Sequence, residues 1–113
     1  MASQQSIVDL ILEQASGAGS LRARKMFGEY AIYRTDKMIA LVCDDRLFLK
    51  PTEAGRKILG IPVEGFPYPN ARPHFLIGEE FWEDRDLLAA LLVATDQNLP
   101  PPKPRAPRGK KLA

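Results

Sequence analysis

Residues 25–50, KMFGEYAIYRTDKMIALVCDDRLFLK, leave the chain few conformational options. They read as three short strands joined by two tight turns. In the first run Phe27, Ala31 and Tyr33 fall on one face and Tyr30 and Ile32 on the other, the period-two alternation of a strand. Thr35-Asp36-Lys37 interrupts that run with residues that favour turns. Met38 to Cys43 is apolar without a break, which suits a strand covered on both faces. Asp44-Asp45 makes the second turn, and Arg46 to Lys50 alternates again with Leu47 and Leu49 on one side. A three-stranded antiparallel meander follows. Its alternation predicts Phe27, Ala31, Leu41, Leu47 and Leu49 buried beneath helices, with Tyr30 and Ile32 facing outward. A core Phe27 would make Phe27→Ala cost about 3–5 kcal/mol.

The flanking segments supply those helices. Ser3 to Ala15 carries Ile7, Val8, Ile11, Leu12 and Ala15 at helical spacing, with Ser3 or Ser6 placed to cap its start. Gly17-Ala18-Gly19 ends it, and Leu21 to Lys25 reads as a basic connector into the meander. After the meander, Thr52 is placed to cap a short helix that runs to Leu59, stops at Gly60 and buries Ile58 and Leu59. Prolines 62, 67, 69 and 73 break up the next stretch, with one strand expected near Gly65 to Tyr68 and another at Phe75-Leu76-Ile77. Glu79 to Asn98 is the last helix, opening with a separate turn at Glu79 to Glu83. Asp84 or Asp86 caps its main segment, where Leu87, Leu88, Leu91, Leu92 and Val93 form an apolar stripe.

Length and charge set the outer bounds. The 113 residues make one domain of ordinary globular composition, with 45% hydrophobic and 27% charged residues. No apolar run approaches the roughly 20 residues that span a bilayer, so no membrane association is expected. The single cysteine and the lack of a secretory signal point to the cytoplasm. The net charge of +2 hides an asymmetry. Residues 99–113 read as a disordered, proline-rich tail holding Lys103, Arg105, Arg108, Lys110 and Lys111 and no acid. Removing those five bases leaves 11 basic against 14 acidic residues, or −3 for the domain of residues 1–98.

No catalytic constellation emerges. Cys43 ends the most apolar strand and reads as an inert structural thiol, and His74 as a bystander at the sheet edge. Asp44-Asp45 reads as a turn rather than a metal pair, and the glycines follow no phosphate-loop spacing. No cofactor or metal is expected.

Three segments together carry a family resemblance: Arg24-Lys25-Met26-Phe27-Gly28-Glu29-Tyr30, Met38-Ile39-Ala40-Leu41-Val42 and Arg46-Leu47-Phe48-Leu49-Lys50. The chain resembles the N-terminal domain of the TfoX (Sxy) family, with its basic approach to an M-F-G segment and its L-Y/F-L-K strand. Phe66-Pro67-Tyr68 and the leucine-rich last helix extend the likeness to about residues 4–97. The resemblance implies an α+β fold, an antiparallel sheet with flanking helices in the order α-β-β-β-α-β-β-α. It also implies a regulatory domain linked to transcription and natural competence. Full-length members carry a second, C-terminal domain where this chain has its basic tail. The motif residues Met26, Phe27, Gly28, Tyr30, Leu47, Phe48, Leu49 and Lys50 read as mainly structural. Met26 and Phe27 offer large apolar surfaces, and Gly28 allows a bulge or a close backbone approach.

The leading expectation is therefore a non-enzymatic interaction domain that acts on a protein partner, within reach of the transcription machinery. Weak, non-specific DNA contact is expected through the tail, and a homodimer through the Phe66–Phe75 segment and the outward side of Tyr30 and Ile32. The first alternative is a direct nucleic-acid binder using Arg22, Arg24, Lys25 and the tail. The second is a small enzyme or ligand-binding module built on the Phe66–Phe75 aromatics.

Overall fold

Helix α1 (Gln5–Gln14) and a single 3-10 turn (Ser16–Ala18) lead into four antiparallel strands. These are β1 (Leu21–Met26), β2 (Glu29–Arg34), β3 (Lys37–Cys43) and β4 (Arg46–Leu49). Then follow α2 (Glu53–Leu59), β5 (Val63–Gly65), β6 (His74–Ile77), α3 (Glu79–Trp82) and α4 (Arg85–Asn98). The computed structural model describes residues 3–100. The expected basic tail from Pro101 onward lies outside the described residues.

The six strands form one antiparallel sheet in the order β1-β2-β3-β4-β6-β5. The fold is α+β, an antiparallel sheet with flanking helices, and the expected order of elements holds with one strand more. That strand is β1, the segment read as a connector. Its pattern Leu21-Arg22-Ala23-Arg24 alternates too, but three bases on an edge strand mask the apolar side, and charge is how sheets blunt a free edge. The fifth strand sits at Val63–Gly65 rather than near Gly65 to Tyr68, before the prolines that remove ladder donors.

Packing divides the sheet into two unlike faces. One lies beneath the helices: Tyr30, Ile32, Ile39, Ala40, Val42, Leu47 and Leu49 pack with Val8, Ile11, Leu88, Leu91 and Leu92. Ile39 and Ala40 both join this core because the β2–β3 register shifts at Ile32/Tyr33, a bulge that turns two successive residues to one side. The other face carries Ala31, Leu41, Cys43 and Phe48, with Met26, Tyr33, Met38 and Leu76 against them and no helix residue among them.

This overturns part of the expected burial. Leu47 and Leu49 lie under the helices as expected. Ala31 and Leu41 are buried on the opposite face, while Tyr30 and Ile32 are core rather than outward. Phe27 is fully exposed, at 103%. It sits in the β1–β2 turn at φ +51, with Gly28 at φ +83, so strand alternation no longer governs its direction. Ile58 is exposed as well, and Gly55 is the buried residue of α2.

Polar contacts fix how the helices sit. Thr52 Oγ1 accepts from the Gly55 N–H at 3.0 Å and Asp84 Oδ1 from the Leu87 N–H at 3.1 Å, both as helix caps. At α1 neither serine caps: the cap residue is Gln4, whose N–H donates to Asp45 Oδ1 at 2.7 Å. Ser3 is buried instead, 2.6 Å from Glu29 Oε1, and accepts from the Asp45 N–H at 3.0 Å. At the other end of the sheet Asp96 of α4 pairs with Arg34 and, at 3.6 Å, with Lys37. Lys37 Nζ also donates to the carbonyls of Asp96 at 2.6 Å and Leu99 at 2.9 Å, satisfying the helix C-terminus.

Candidate functional site

Cross-strand pairing decides which side chains share the helix-free face. Arg22 pairs with Tyr33, Arg24 with Ala31, and Met26 with Glu29. Leu41 pairs with Ala31 and Phe48, and Cys43 with Arg46. Basic and aromatic groups therefore meet there: the Arg22 guanidinium lies 4.5 Å from the Tyr33 ring centre and Arg46 lies 5.7 Å from that of Phe48. Gly65 packs against Phe48 so closely that an added Cβ would sit 3.1 Å from its ring. That approach lets the chain turn into the proline-rich loop of residues 66–73 beside the face.

Two clefts open on this face, at opposite ends of its strands. The first, about 420 Å³, is lined by Met26, Met38, Leu41, Cys43, Pro67 and Tyr68. Phe27 and Glu29 also line it, and Tyr68 and Phe66 remain largely exposed nearby. Burial, aided by the Glu29 carboxylate, pushes the Cys43 thiol up to about 11, so it is protonated and unreactive at neutral pH. Glu29 itself is tied down by Ser3 and by the Asp44 N–H at 3.2 Å. The second cleft, about 320 Å³, lies by the β2–β3 turn and is lined by Tyr33, Met38, Lys50, Leu99 and Pro100, with Asp36 and Lys37. Burial lowers the pKa of Lys50 there.

The motif residues are scattered by this geometry. Tyr30 is buried, its hydroxyl donating to Gln5 Oε1 at 3.0 Å, and Leu47 and Leu49 belong to the helix-side core. Phe48 anchors the opposite face, Met26 and Phe27 line the first cleft, and Lys50 lines the second. Arg22 and Arg24 share the open face, but Lys25 pairs with Tyr30 and belongs to the other side. Lys103, Arg105, Arg108, Lys110 and Lys111 lie outside the described residues. His74 is half-buried in an interior strand, with Nδ1 2.8 Å from the Arg72 carbonyl. Among the described residues no cluster of His, Cys, Asp or Glu is placed to hold a metal ion, and no helix is long and apolar enough to cross a membrane.

Sequence reasoning missed Met38 and Cys43 as cleft-lining residues. Their uninterrupted apolar run signalled a strand covered on both faces, which is what β3 is, but gave no sign that one cover was incomplete. The exposure of Phe27 was equally hidden, since a Phe beside a Gly does not announce a turn as Asn-Gly does.

Comparison with known proteins fits this architecture. An uncharacterized 12.7 kDa protein in the trpE 5′ region of Spirochaeta aurantia is 37% identical over 110 residues, covering 97% of this chain and 95% of that one. The model of the TfoX N-terminal domain matches residues 13–97, from the end of α1 almost to the end of α4. The chain belongs to the TfoX N-terminal domain family.

Proposed function

We propose that this domain is a non-enzymatic regulatory module that binds a protein partner through the apolar cleft on the helix-free face of its sheet. One observation carries the reading. Phe27, a large aromatic, stands wholly in solvent in a left-handed conformation beside that cleft. Bulky residues rarely adopt positive φ, and an exposed ring contributes nothing to folding, so its place is better explained by something it meets. Tyr68 and Phe66 enlarge the apolar rim, and aromatic anchors around a desolvated pocket are the usual energetic centre of an interface. The polar groups at hand, Cys43 and Glu29, are taken up by burial and by hydrogen bonds rather than free for chemistry. Family membership supports a role in regulating transcription or competence.

The test uses the whole chain and its Phe27→Asp variant as paired baits in quantitative affinity capture from the source cells, with Ile61→Asp as an exposed apolar control. A partner retained by the parent and the control but lost with Phe27→Asp is the expected result. A partner set that Phe27→Asp leaves unchanged overturns the assignment. Sedimentation of the same proteins separates a second copy of the chain from a foreign partner.

A further inference from the structure

We infer that β1, the basic edge strand of the sheet, takes up an extended acidic segment of a partner protein as a further antiparallel strand. The apolar cleft proposed above as a docking site anchors one end of that segment, and to that extent the inference rests on that proposal.

The two edges of the sheet differ. It ends in β5 on one side and β1 on the other. β5 is three residues long, and prolines 67 and 69 follow soon after it. β1 runs for six residues without proline and pairs with β2 from Leu21 to Met26 with no shift of register. Shortness, bulges and prolines all protect an edge from further pairing, and β1 uses none of them. Charge alone guards it.

The phase of the β1–β2 ladder shows which backbone groups are left over. Phe27-Gly28 is a two-residue turn with both φ values positive, so Met26 and Glu29 flank it as a hydrogen-bonded pair, and such pairs recur at every second residue. The Thr35 N–H donates to the Ser20 carbonyl at 3.0 Å in the same phase. The backbone groups of Arg22, Arg24 and Met26 therefore face β2, while those of Leu21, Ala23 and Lys25 point away from the sheet. Among the described residues no other strand, turn or cap bonds to those three.

The side chains along this edge set the sign of what can join it. Arg22, Arg24 and Lys25 are exposed, and among the described residues none is ion-paired. An incoming strand places one side chain opposite each of them, where a carboxylate is favoured. Opposite Met26 an apolar side chain meets Met26 and Phe27 at the mouth of the 420 Å³ cleft. Glu29, which pairs with Met26 and lines the same cleft, repels an acid at that position. A second copy joined through the same edge about Ala23 would set Arg22 of each chain against Arg24 of the other, with like charges directly opposed. The edge thus rejects its own kind and accepts a strand of opposite charge. Main-chain bonds supply the affinity and alternate side chains the selection.

Titration of the isotope-labelled full chain with the acetylated peptide TLEEVET, followed by amide exchange, tests the inference. In antiparallel order its leucine falls opposite Met26 and its glutamates opposite Lys25, Arg24 and Arg22. Binding should slow exchange at the amides of Leu21, Ala23 and Lys25 and leave Arg22 and Arg24, already bonded to β2, unchanged. Combining Arg22→Glu with Arg24→Glu should weaken binding about tenfold, and the peptide TLKKVKT should not bind the parent. Ala23→Pro removes an outward N–H without touching the β1–β2 ladder, so it should fold, as a melting curve checks, and lose the peptide. The double glutamate variant serves if it does not fold. No binding at millimolar peptide, equal binding of TLKKVKT, or binding without protection of the three outward amides overturns strand addition. In the affinity capture, a partner lost with Phe27→Asp but kept with Ala23→Pro leaves the cleft proposal standing and overturns this one.

Discussion

The two faces of the sheet are built from the same strands yet sealed to different degrees. Beneath α1 and α4 the side chains of Val8, Ile11, Ile32, Ile39 and Leu88 have no solvent exposure. On the other face Leu41, Cys43 and Phe48 are buried, but only Pro67 and Tyr68 of a proline-rich loop stand over the neighbouring cleft. Helices cover a sheet with a continuous stripe of close-packed side chains, whereas a loop covers it in patches. The first face holds the domain together. The second keeps part of its apolar surface within reach of other molecules.

Substitutions in the two layers should separate accordingly. Leu88→Ala opens a cavity in the fully sealed layer and should lower stability by about 4 kcal/mol in denaturant unfolding. Asp96→Ala leaves Arg34 and Lys37 without their carboxylate at the edge of that layer and should lower it by about 3 kcal/mol. Leu41→Ala on the open face should lower it by about 2 kcal/mol, because the adjoining loop can settle into the space. A loss at position 41 equal to that at position 88 would erase the distinction between the faces.

The thiol of Cys43 gives a pH readout of the open face. Its pKa rises from 9.0 to about 11 on folding, so the native state holds the proton more tightly than the unfolded chain. The stability it contributes is complete below pH 9 and is lost as pH climbs through 11. Lys50, whose pKa burial lowers, acts in the opposite sense, so the comparison is made against Cys43→Ala. The variant should lack the alkaline decline seen in the parent, and native Cys43 should resist alkylation at pH 8 until denaturant is added. The smallest effect is expected at the exposed turn. Phe27→Ala should leave the melting temperature within about a degree, since a wholly exposed ring buries nothing.

The sequence carried the elements better than their orientation. Helix caps at Thr52 and Asp84 and the strand at Phe75 to Ile77 were legible because each rests on local chemistry. Alternation correctly separated Ala31 and Tyr33 from Tyr30 and Ile32, but it could not say which set the helices cover. Both sets are apolar, and the choice is made by contacts with α1 and α4 that are distant in the chain. The helix-free face was less legible still. Its arginines were visible as a basic cluster, yet the pairing of Arg22 with Tyr33 and the separation of Lys25 depend on β1 being a strand. Asp45 shows the same limit: it was read as a turn residue, and the structure adds that it accepts the N–H of Gln4, the cap residue of α1.

The hold of Lys37 on the end of α4 has a mechanical meaning. Its ammonium grips the carbonyls of Asp96 and Leu99, so the last backbone atoms before the tail are fastened to the β2–β3 hairpin. A pull on the chain beyond Pro100 then loads the hairpin and the helix together instead of peeling the helix open turn by turn.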